Sequence, residues 1–82
     1  MIRKRKYMVD GRLKLSEGDK VKITAPARAG IEKNTGIRVE SWELGTVKRI
    51  QYDISERRFF ATVQLGGQDI WMPISDLIYQ GR

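Results

Sequence analysis

Phe60 and Trp71, set among arginines and lysines, are the side chains in this sequence best suited to grip a partner. Gly66-Gly67 between two extended runs predicts a two-residue hairpin loop. That loop puts Trp71 opposite Thr62 with Phe60 on the diagonal, within reach of long aromatic side chains. In the same register Phe59, Ala61, Val63, Ile70, Met72 and Ile74 share the other face, and all are apolar. Two aromatics opposite a complete apolar face have two readings. They form a second packing surface beneath the 25–44 loop or the N-terminal ribbon, or a platform that stacks bases or grips a peptide. Trp42 has the same two readings and, with Leu44, is expected to pack back onto the core. Lys48-Arg49 and Arg57-Arg58 flank the first hairpin and extend a basic surface, partly neutralised by Asp53 and Glu56.

Catalytic constellations are thin. The chain has no cysteine and no histidine, so thiolate chemistry, disulfides and imidazole acid–base work are excluded. Glu40 with Glu43, and Asp53 with Glu56, are carboxylate pairs in loops, where solvation is the ordinary role. The glycines fit no phosphate loop, since Gly66-Gly67 precedes no helix, and no calcium-type spacing is present. The reading is a non-catalytic module without cofactor or metal. No apolar run approaches the roughly 20 residues that cross a bilayer, and no apolar segment follows the basic start as in a secretory signal. A cytoplasmic location is the expectation.

Charge is distributed unevenly. The net charge is +6, and residues 1–15 hold +5 of it: Arg3, Lys4, Arg5, Lys6, Arg12 and Lys14 against Asp10 alone. A single-sign block is a footprint for a polyanion such as nucleic acid or an anionic surface; its plainer reading is a solubilising tail, and an acidic protein partner is the docking alternative.

The elements that must position these groups are legible in part. Asp10-Gly11 predicts a tight hairpin pairing Val9 with Arg12, Met8 with Leu13, Tyr7 with Lys14 and Lys6 with Leu15. Residues 1–15 then form a basic ribbon or arm, with Met8 and Leu13 docked on a body spanning 16–82. Val21 and Ile23 alternate with Lys20, Lys22 and Thr24 as a half-buried strand, ended by Ala25-Pro26. From Ala27 to Leu44 the pattern is weak and predicts a long loop, with a short strand at Ile37 and Val39. Val47 and Ile50 break alternation, predicting a bulge or bend near Lys48-Arg49. Asp53–Glu56 turns the chain into the Phe59–Leu65 strand. Pro73 ends the second hairpin, and Ile74–Ile78 reads as one helical turn and a short closing strand.

The blocks Gly18-Asp19-x-Val21-x-Ile23, Gly45-x-Val47-x-x-Ile50 and Ser75-Asp76-Leu77-Ile78 together resemble an SH3-like barrel. The resemblance implies an all-β fold: a small barrel of about five strands, an N-terminal basic hairpin, and one short helical turn before the last strand. The first two blocks are similar to the KOW pattern of ribosomal and transcription-factor domains, although the loop between them is much longer here. They are about as similar to the small basic accessory polypeptide of photosystem I that docks redox partners. The first likeness implies nucleic-acid binding, the second docking of a protein partner. A third resemblance is to plasmid-type dihydrofolate reductases, small oligomers whose site strand is Val-Gln-Ile-Tyr-Pro. Here Asp69-Ile70-Trp71-Met72-Pro73 stands in its place, without the glutamine and tyrosine. The leading expectation is a nucleic-acid-binding module using Arg3, Lys4, Arg5, Lys6, Arg12, Lys14, Lys48, Arg49, Phe60 and Trp71.

Overall fold

The computed structural model describes residues 7–9 and 13–81, with side chains from residue 15 to residue 81. Strands dominate: β1 Tyr7–Val9, β2 Leu13–Leu15, β3 Lys20–Ile23, β4 Gly45–Asp53, β5 Arg58–Leu65, β6 Gln68–Pro73 and β7 Leu77–Gly81. Among the described residues one helix, α1, covers Ala25–Thr35, and a 3-10 turn covers Ile74–Asp76. The strands β3 to β7 form one antiparallel five-stranded sheet in the order β6-β5-β4-β3-β7, and β1 and β2 pair with each other as a separate ribbon.

The second hairpin has the expected register. Leu65 faces Gln68, Val63 faces Ile70, Ala61 faces Met72, Thr62 faces Trp71 and Phe60 faces Pro73. Both loop glycines have positive φ, 53° at Gly66 and 83° at Gly67, as a type I′ turn requires. The apolar face is the core face. Ala61, Val63, Met72 and Ile74 are buried there with Leu15, Val21, Ile23, Ile31, Val39, Val47, Ile50, Leu65 and Leu77, and Phe59 and Ile70 pack at its margin. The bend in β4 is also present: Val47 faces Val63 but Arg49 faces Thr62, so the ladder skips Lys48.

That bulge is tied to the turn before β3. The Gly18 amide donates to the Val47 carbonyl at 2.7 Å, and the Val47 amide donates to the Asp19 carbonyl at 2.9 Å. Within the turn, buried Asp19 accepts at Oδ2 from the Ser16 amide (2.9 Å) and from the Ser16 hydroxyl (3.2 Å). A buried carboxylate closing a turn leaves little freedom in how the chain enters the sheet.

Three expectations are corrected. The ribbon register is shifted by one, with Tyr7 facing Leu15, Met8 facing Lys14 and Val9 facing Leu13. Met8 and Leu13 are therefore not a pair, and residues 10–12 of the connection lie outside the described residues. Second, the first part of the expected loop is helical. Pro26 sits in the first turn of α1, where its missing amide costs nothing. Gly36 closes the helix in the left-handed conformation, φ 76°, donating to the Glu32 carbonyl at 2.9 Å. Only Ile31 of the helix is buried, with Ala27 one turn earlier packed against the same core. Third, Ile37 and Val39 form no strand, and Trp42 and Leu44 do not pack back: both are exposed, Trp42 to 69%.

Candidate functional site

Alternation along the three strands of the meander assembles the outer face row by row. Arg49, Thr62 and Trp71 stand side by side across β4, β5 and β6. The next row is Gln51, Phe60 and Pro73, and beyond it Asp53 faces Arg58. With strands about 4.8 Å apart, Arg49 and Trp71 are separated by roughly 10 Å.

Phe60 and Trp71 divide the work that sequence assigned to both. Phe60 is buried, 8% exposed, so it is not a contact surface, which corrects the expectation of a two-ring platform. It is absent from the main core cluster and is covered on the outer side of the sheet. Trp71 stacks on it, with ring centroids 5.2 Å apart and planes 12° from parallel. The Arg58 guanidinium lies over the Phe60 ring, 5.3 Å from its centroid. Trp71 itself is 48% exposed. The arrangement is a half-exposed indole held flat by a buried phenyl ring, with a cation next to it.

Arg58 also pairs with Glu56 at 3.1 Å, both side chains about half exposed, a pairing worth little in solvent. Lys48 and Arg49 are exposed. Arg3, Lys4, Arg5, Lys6 and Arg12 lie outside the described residues; Lys14 is in β2 without a described side chain. The structure therefore brings Arg49 and Trp71 into one row and Arg58 against Phe60.

The turn joining β4 to β5 borders the indole. Gln51, Tyr52, Asp53, Ile54, Ser55 and Trp71 line a cleft of about 390 Å³. Asp53 organises this turn: its Oδ1 accepts from the Ser55 hydroxyl (2.6 Å), the Ser55 amide (2.9 Å) and the Glu56 amide (3.2 Å). These bonds, the Ser55 hydroxyl first and the Glu56 amide next, hold its carboxyl below the usual range, with a smaller contribution from Arg58. The Arg57 amide donates to the Asp53 carbonyl at 2.7 Å, and Arg57 takes a left-handed conformation, φ 57°. Gln51 is the group that sequence reasoning missed. Its signal was the bulge, because skipping Lys48 returns Arg49, Gln51 and Asp53 to one face.

A second groove of about 400 Å³ runs between α1 and the edge strand β6, lined by residues including Ala27, Ile31, Ile70 and Trp71. Trp71 thus stands between two depressions. The chain matches no family model, and no curated protein or solved structure shows significant similarity to it.

Proposed function

We propose that the protein is a non-catalytic binding module for single-stranded nucleic acid, with an SH3-like sheet as scaffold. The strand order β6-β5-β4-β3-β7 with a 3-10 turn before the last strand supports that scaffold. The observation that carries the function is the Trp71 indole, half exposed and braced by Phe60, in a row with Arg49. A braced aromatic face stacks any base without much loss of side-chain freedom, and neighbouring cations meet the phosphates. The +5 charge of residues 1–15 supports affinity for a phosphate backbone.

Trp71→Ala is the test. Losing one stacked base should weaken binding of an unpaired oligonucleotide by roughly 5- to 150-fold, corresponding to about 1–3 kcal/mol per base. The cost to stability should be near the ~0.5–1.5 kcal/mol of an aromatic pair. Unchanged affinity, read by fluorescence anisotropy with a labelled oligonucleotide, would falsify the platform. A second reading, docking of an acidic protein, draws on the exposed Trp42 as an aromatic anchor and on the +5 charge of residues 1–15 as the complement of acidic groups.

A further inference from the structure

We propose that the cleft between Trp71 and the β4–β5 turn holds one unpaired nucleobase, stacked on the indole and read at its edge by Gln51 and Asp53, with preference for a base bearing an exocyclic amino group. The inference rests on the single-strand reading above and assigns it a base-reading position.

The cleft is shallow and open to solvent, with room for a flat heterocycle lying on the Trp71 indole. Its rim is unlike the basic surface around it. Gln51 offers a carboxamide donor and acceptor, and Asp53 offers a carboxylate. The three bonds that shape the turn all use Oδ1 of Asp53 and none uses Oδ2. Hydrogen bonding and Arg58 favour the ionised form of this carboxyl, so near neutral pH it accepts and does not donate. Phosphate is repelled from such a rim and belongs to Arg49 and Arg58 outside it. A base fits when its edge brings N–H groups to the acceptor.

Cytosine and uracil separate the two sources of affinity. They stack similarly, but cytosine presents an amino group at C4 where uracil presents a carbonyl oxygen. A carboxylate facing that carbonyl would pair two acceptors.

The experiment uses the full chain carrying Trp42→Phe. The sequence has two tryptophans, so Trp71 becomes the sole indole reporter. Single-stranded oligocytidylate and oligouridylate of about eight nucleotides are titrated at ~0.05 M salt, where phosphate contacts are strong. The expected result is quenching of Trp71 by both, with oligocytidylate bound about tenfold more tightly, the scale of one base-edge contact pair. Gln51→Leu, an outer-face change that spares the turn, should shrink that ratio. Equal affinities with quenching would overturn the cleft and leave the stacking platform standing. Binding of both without quenching would overturn the cleft and Trp71 as platform together. Binding of neither oligonucleotide would overturn the single-strand reading itself.

Discussion

Gly45 is the residue on which the core has least tolerance. It opens β4 opposite Val21 and is buried. A Cβ there would collide with Cγ1 of Val63 and come within 3.0 Å of Cδ2 of Leu65 and 3.3 Å of the Gln64 carbonyl. Val63 is fully buried and branched at Cβ, so its χ1 is restricted and the packed core leaves it little room to retreat. Gly45→Ala should therefore destabilise the protein by about 1–3 kcal/mol through overpacking, measured by urea unfolding; an unchanged midpoint would mean the sheet yields at this point. Sequence marks Gly45 only as a strand opening, since the obstructing side chains come from β5. The same limit explains Phe60. Its placement on the outer face was legible from alternation, but its burial depends on Trp71 and Arg58 closing over it.

At the level of elements, legibility followed the strength of the local signal. The Gly66-Gly67 hairpin could be registered from sequence because a slip by one residue would turn an entire apolar face to solvent. In the N-terminal ribbon the observed pairing sets Tyr7 with Leu15 and Val9 with Leu13, all apolar. The expected register missed this because it rested on a two-residue Asp10-Gly11 loop and not on the alternation of Leu13 and Leu15 about Lys14. Helix α1 presents just Ala27 and Ile31 to the core, too short an apolar stripe to reveal helical periodicity. Its punctuation was present, with Pro26 at the start and Lys33 and Gly36 at the end. The β4–β5 turn depends on one charge, and that gives it a pH dependence. The Asp53 carboxyl has a lowered pKa in the folded chain. Its contribution is complete above the unfolded value near 3.9 and fades as pH falls through the folded one. Asp53→Asn keeps an oxygen acceptor and removes the charge. Wild type should have the higher thermal midpoint at about pH 6, and the difference should narrow below about pH 4. A difference that widens on acidification would contradict the assigned cause.

For the molecule as a whole, the separation of charge from fold is the property with the clearest measurable effect. Residues 1–15 carry most of the net positive charge, and the block ends in Leu15, whose side chain is buried in the main core. Neutralising the block is therefore a cleaner experiment than deleting it. Replacing Arg3, Lys4, Arg5 and Lys6 by Gln should leave the unfolding midpoint in place. It should also flatten the dependence of log affinity on log salt by about 0.7 per lost contact with a single strand, close to 3 if all four engage phosphates. A slope that does not change would remove these residues from the phosphate track. The outline of the body was legible because three-strand meander, single turn and last strand follow one another locally. The proposed site was less so, because the cleft beside Trp71 draws on β4, the turn and β6 at once.

The pairing of β3 with β7 has a further consequence, in the order of assembly. Lys22 faces Ile78 and Ile23 faces Leu77, so one of the first strands of the sheet is completed by its last. The β4–β5–β6 meander can form from neighbouring segments, whereas this contact closes a loop of more than fifty residues, the slow kind of step in a small β-protein. Until β7 is in place, β3 presents an open edge beside the buried Ile23, a template for another chain's strand. A molecule in which β7 has not yet paired is therefore the form most open to strand pairing with a second copy.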